Sequence, residues 1–155
     1  MKHVLAFAAV TVGLIMPGMV SVAEANPNRE VRRKLASVAQ LEFDRSLGGQ
    51  RLADFAKDPR EEVRVAALRA MGRIQDAGAV PALGKGLEDP VPAVRAAAAF
   101  ALGQIPDLGL EALGKALTGE KDASVRLALV QSIGKRAGPA DAAPLVALAK
   151  DADLN

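Results

Sequence analysis

Apolar positions along the chain fall into stripes that return with a fixed period. Val63-Arg64, Val94-Arg95 and Val125-Arg126 stand at equal intervals, and Gly72, Gly103 and Gly134 each follow their valine by nine positions. Asp58-Pro59 and Asp89-Pro90 precede the first two Val-Arg pairs by five residues, while Asp122 stands three before the third. A weaker copy, Asn26-Pro27-Asn28-Arg29-Glu30-Val31-Arg32, lies nearly one period before its counterpart Asp58-Pro59-Arg60-Glu61-Glu62-Val63-Arg64. Three landmarks held in register mark a repeat architecture.

Each unit predicts two helices. Val63, Ala66, Ala67, Ala70 and Ile74 share one stripe at helical spacing. Asp58 and Asp89 are placed to cap their helices, with Pro59 and Pro90 at the first helical position, where a missing N–H does no harm. Gly72, Gly103 and Gly134 near the helix ends suit either a left-handed cap or a close helix contact. A shorter second helix is expected over Leu47–Lys57, Ala79–Glu88, Leu110–Thr118 and Ala142–Lys150, with Pro81 and Pro144 in the first turns of theirs. The run Ala96-Ala97-Ala98-Ala99 belongs to a helix without charge after Arg95, as expected of one covered on several sides. A single helix pair of this size cannot bury its own apolar face, so the units must stack. The expected units are 26–57, 58–88, 89–119 and 120–150, followed by a short polar tail, and the first unit has the polar start of an end cap.

The pattern D-P-x-x-x-V-R-x-x-A-A-x-A-L-G, best seen over 58–72 and 89–103, resembles HEAT repeats, in particular the short phycobilisome-lyase HEAT-like variety. Tetratricopeptide and ankyrin repeats both have longer periods. Neither the Trp and Tyr signature of the first nor the T-P-L-H signature of the second occurs. The resemblance implies an all-α fold, a right-handed α-solenoid of about four helical hairpins with the Val-Arg helices lining the concave side.

Composition narrows the compartment. The 155 residues include no Cys, Trp or Tyr, and half are apolar, nearly all aliphatic or alanine. Lys2 followed by the apolar stretch Val4–Met16, the breakers Pro17 and Gly18, and Ala23-Glu24-Ala25 have the layout of a secretory signal peptide. Cleavage is expected after Ala25, with Ala23 as the other cut, which makes the protein periplasmic or secreted. The alternative is an uncleaved membrane anchor. Cleavage removes His3, the only histidine.

Catalytic chemistry has little to stand on in what remains. Without His or Cys, most zinc and copper sites and the usual triads are excluded. HEAT-like deoxyhypusine hydroxylase holds iron by His-Glu pairs, and this chain has none. Bilin lyases share the repeat, but no residue here matches a bilin site. Ser132-Ile133-Gly134-Lys135 has the S-x-x-K spacing of penicillin-recognising enzymes without the accompanying S-D-N or K-T-G, and Asp151 and Asp153 lack the rest of a calcium loop. No cofactor is expected.

Two sets of residues remain. Arg64, Arg95 and Arg126 are expected to form a structural ladder with Asp58, Asp89 and Asp122; the competing reading is an anion-binding stripe. Positions six and ten after each valine lie away from the buried stripe: Arg69, Phe100 and Gln131, then Arg73, Gln104 and Lys135. An aromatic rimmed by Arg and Gln has the composition of an interface hot spot, although Phe100 also fits a core position. The basic group Arg29, Arg32, Arg33 and Lys34 is expected to be a solvated cap, with anionic lipid as the competing reading. A net charge of +2 without stacking aromatics gives no basis for nucleic-acid binding. The resulting expectation is a monomeric exported scaffold or adaptor that binds a protein partner. The alternative is a non-catalytic accessory subunit related to HEAT-like lyases or hydroxylases.

Overall fold

A computed structural model describes residues 27–106 and 108–135. The segment expected to be a signal peptide, the helix expected over 142–150 and the acidic pair Asp151 and Asp153 lie outside them. Seven α-helices and no strand occur among the described residues: α1 (Pro27–Phe43), α2 (Arg51–Phe55), α3 (Glu61–Ile74), α4 (Val80–Gly86), α5 (Pro92–Leu102), α6 (Leu110–Gly119) and α7 (Ala123–Gly134). A 3-10 turn, Ala77–Ala79, leads into α4, and Asp76 caps it by accepting from the Gly78 amide at 2.7 Å. Among the described residues no helix is long and apolar enough to cross a membrane.

The long helices stand side by side, α1 on α3, α3 on α5 and α5 on α7. The short helices α2, α4 and α6 form a second layer, each packed on the long helix that follows it. This is an α-solenoid. Its core repeats as the sequence does, with Val63, Val94 and Val125 fully buried at one level and Met71, Leu102 and Ile133 buried at another. Leu52, Leu83 and Leu113 reach in from the short helices. Because no hairpin closes this core alone, burial couples each unit to the next.

Two of the three recurring glycines serve close contact, while a Cβ on Gly134 would meet nothing within 4 Å among the described residues. A Cβ on Gly72 would stand 2.6 Å from the Ala101 Cα, and one on Gly103 would stand 2.7 Å from the Ser132 Cβ. Neither residue adopts a left-handed conformation; Gly103 ends α5 at φ −64°. Of the two roles the sequence allows at Gly72 and Gly103, left-handed cap or close helix contact, the structure has the second, an approach too tight for any side chain. In α3 the left-handed residue is Gln75, at φ 62°.

The capping expectation also changes. Helix α3 starts at Glu61 and α5 at Pro92, so Asp58-Pro59 and Asp89-Pro90 form extended turns ahead of their helices. Asp58 Oδ1 accepts from the Arg60 amide at 3.0 Å, and Asp89 Oδ1 from the Val91 amide at 2.9 Å. The turns leave the backbone carbonyls of Asp58 and Pro59 free to accept from Arg64 Nη1, at 2.9 and 3.2 Å. Arg95 repeats this on Asp89 and Pro90 at the same two distances.

Each arginine then reaches forward to the next unit. Arg64 donates through Nε and Nη2 to both carboxylate oxygens of Asp89, at 2.8 and 3.0 Å. Arg95 does the same to Glu120, at 2.7 and 2.9 Å. The rung expected at Asp122 is thus carried by Glu120, because Asp122 is occupied as the N-cap of α7, accepting from the Ser124 and Val125 amides. In the first unit Lys34 takes the place of arginine and donates to Asp58 at 2.7 Å. That draws Lys34 out of the solvated group with Arg29, Arg32 and Arg33, which are exposed. Arg126 continues the row on α7 and is half-buried.

These pairings set the response to acid. Burial acts to raise the Asp58 carboxyl, but the Lys34 ammonium and the Arg60 amide outweigh it and hold the group below its ordinary value. The Arg95 guanidinium holds Glu120 down against burial, and the Ser124 hydroxyl and Val125 amide hold Asp122 down. A carboxylate with a depressed folded-state pKa stabilises the fold above its unfolded pKa and loses that contribution as pH falls through the folded value. Lys34 and Arg95 are shifted upward by their carboxylate partners, so their contribution persists until strongly alkaline pH. Melting followed by circular dichroism is expected to show a nearly constant Tm between neutral pH and about pH 5. A progressive fall should begin below about pH 4, where unfolded carboxylates protonate. A Tm that rises on acidification contradicts the pairing.

Candidate functional site

Among the described residues, the long-helix layer has one face on the short helices and one face uncovered. Helical geometry decides which residues reach the free face. In α5, Val94, Ala97, Ala98, Ala99, Ala101 and Leu102 are buried; beyond Pro92 at the start and Arg95, which is engaged in the ladder, this leaves Ala93, Ala96 and Phe100 turned outward. Position by position the other helices do likewise: Glu62, Val65, Arg69 and Arg73 on α3, and Ser124, Leu127, Gln131 and Lys135 on and just past α7.

All six candidate partner-binding residues fall on this face. Arg69, Arg73, Phe100, Gln131 and Lys135 are exposed, and Gln104, immediately beyond α5, is half-buried. Phe100 is 42% exposed, so it is not the core residue that an all-apolar helix equally allowed. The Lys135 ammonium lies 4.9 Å from its ring centroid, within cation–π range. Phe100 lines two adjoining shallow depressions. One, of about 530 Å³, is bounded by Glu42, Arg45, Arg73, Gln75 and Gln104; the other, of about 420 Å³, by Arg69, Arg73, Ala96, Ala97 and Ala128.

Neighbouring helices hold some of these groups in place. Arg73 pairs with Glu42 of α1 through Nε and Nη2, and this partner raises its pKa. At the C-terminal end of the layer, Arg45 donates to the Ile74 carbonyl at 3.1 Å and Gln75 to the Gln104 carbonyl at 2.9 Å. Each of these side chains satisfies a carbonyl that the end of the next long helix leaves open. Arg69 makes no ion pair or hydrogen bond among the described residues.

The face also holds two large apolar side chains that the repeat reading passed over. Phe43 is 84% exposed and Leu127 is 51% exposed. Phe43 was hidden by register. Val38 and Leu41 are buried as Leu68 and Met71 are, and the offset that relates these pairs sets Phe43 opposite Arg73. That offset is one position shorter than the period of the later units. Leu127 lies two residues after Val125, between positions that the stripe assigns to the core.

The residues bearing possible reaction chemistry do not converge. Ser132 is buried against Gly103 while Lys135 reaches over Phe100, so the two ends of the S-x-x-K spacing are separated. Among the described residues no three His, Cys, Asp or Glu side chains gather as a metal would require. The face offers a hydrophobic centre with cations and amides around it, in open depressions.

The stacked hairpins have a counterpart in a known family. The family model for HEAT repeats matches three overlapping stretches of the chain, residues 16–91, 49–117 and 80–154. The chain belongs to the HEAT-repeat family. Each HEAT hairpin seen here is one long helix bearing the Val-Arg pair and one short helix behind it, and HEAT repeats generally mediate protein–protein interaction. No curated protein matches the chain.

Proposed function

We propose that this HEAT-repeat protein is an exported adaptor that docks a protein partner on the free face of its long helices, with Phe100 at the centre of the contact. The observation that carries this reading is a phenylalanine held 42% exposed amid Arg69, Arg73, Gln104 and Lys135 on an otherwise close-packed layer. An exposed aromatic ringed by arginine and amide groups is the composition that dominates interface energetics. The Ala-rich D-P-x-x-x-V-R units favour the short phycobilisome-lyase type of HEAT repeat. Export rests on the signal-peptide layout of residues 1–25, with the mature chain starting at Asn26. The chain works as a binding module without catalytic chemistry of its own.

Site-specific photo-crosslinking in the producing cell tests the docking face. A photoreactive phenylalanine analogue at position 100 is expected to form a discrete adduct with a protein, and so is one at position 131. The same analogue at Lys85 or Lys115, on the short helices, is expected to form none. Adducts confined to the short-helix positions overturn the reading. Mass spectrometry of the exported protein tests the leader: a mature N-terminus at Asn26 is expected, and an intact Met1 in the membrane fraction contradicts it.

A further inference from the structure

Resting on that reading, we infer that the partner presents a short acidic segment with an apolar anchor, laid across α3, α5 and α7. The charge balance of the face carries this. Its two carboxylates are already engaged: Glu42 is held by Arg73, and Glu62 stands 3.9 Å from Arg60 at the edge. Its cations are not matched in the same way. Arg69 has no carboxylate partner among the described residues, and Lys135 rests on a ring. Among the described residues the face therefore holds surplus positive charge on both sides of an apolar centre, Phe100 with Leu127 on the next long helix.

Geometry sets the length of the segment. Adjacent packed helices stand roughly 8–10 Å apart, so the distance from the α3 row to the α7 row is about 18 Å. An extended chain covers that in about six residues at roughly 3.3 Å each. Carboxylates at the two ends then meet Arg69 on α3 and Lys135 past α7, while a leucine or phenylalanine between them covers Phe100. A basic segment would meet like charge at both ends, which costs affinity and slows encounter.

The test uses the full mature chain and an array of short synthetic peptides, each a few residues longer than that span. In one set two central apolar residues are flanked by Asp and Glu; in a second the flanks are Lys and Arg; in a third the flanks are acidic and the centre is Gly-Ser. Binding is expected in the first set alone and is expected to weaken as salt rises. Phe100→Ala should weaken it roughly tenfold or more with an unchanged circular dichroism melt. The double variant Arg69→Glu with Lys135→Glu should lose the first set and gain the second, a reversal that misfolding cannot produce. Equal or stronger binding to the basic set overturns the inference, as does no binding to any acidic peptide. Tighter binding to a short oligothymidylate, or dimerisation of the chain through Phe100, overturns it too. If the array fails while the position-100 crosslink to a protein persists, the partner's chemistry is wrong and the docking face stands. If the crosslink also fails, the face itself is wrong.

Discussion

Arg64→Met is expected to destabilise the protein by about 3 kcal/mol, because it leaves the Asp89 carboxylate without its guanidinium partner at a nearly closed site. Both side chains of the pair are only 12% exposed, so water from the adjoining depression replaces only part of what is lost. The substitution also frees the Asp58 and Pro59 carbonyls that Arg64 Nη1 holds in the preceding turn. For a domain of this size that loss lowers Tm by roughly 10 °C. Arg69→Met, five residues further on, removes an arginine with no partner among the described residues and should change stability by no more than about 0.5 kcal/mol. Thermal and urea melts of the two variants check the contrast. The double variant Arg64→Met with Asp89→Asn should cost about 1–2 kcal/mol less than the two single losses added. Additive losses contradict a direct bond between the two units.

The glycines supply the second large effect, as opposite outcomes of one chemical change. Gly72→Ala places a methyl group 2.6 Å from the Ala101 Cα, which is backbone and can retreat only if α3 and α5 separate. Overpacking of that kind costs about 1–3 kcal/mol. The gain of up to about 1 kcal/mol from replacing a helical glycine by alanine reduces this loss without cancelling it. Gly84→Ala, in the middle of α4, meets nothing within 4 Å and keeps the helix gain whole. Gly72→Ala should therefore lower Tm and Gly84→Ala raise it. If both raise Tm, the close approach is not what position 72 is for.

Much of this fold was legible in the sequence, because the stripe at 63, 94 and 125 and the glycines nine positions later follow a strict period. The rungs were less legible. Positions 58, 89 and 120 keep the period and hold Asp, Asp and Glu, but Asp122 matched the residue type and drew the assignment two places late. Either acid can face an arginine, so spacing was the better guide than identity. In the first unit the Asn26-Pro27 likeness misled differently. Pro27 lies inside α1, whereas Pro59 and Pro90 lie in turns ahead of their helices, so the cation meeting Asp58 is Lys34 and not Arg32. The exposure of Phe100 was only half legible, since its register with Arg69 and Gln131 put it off the buried stripe while its own helix left a core position open. In the run Ala96–Leu102 every side chain is apolar, so the packing of α3 and α7 on either side decides which residue faces out.

The most direct test of the proposed docking face is a map of amide chemical shifts in the isotopically labelled chain spanning residues 26–155, recorded as the best acidic peptide of the array is titrated in. Shifts clustered at Arg69, Arg73, Phe100, Gln131 and Lys135, with α2, α4 and α6 unmoved, are the predicted result. Shifts centred on the short helices, with Phe100 silent, would contradict the account.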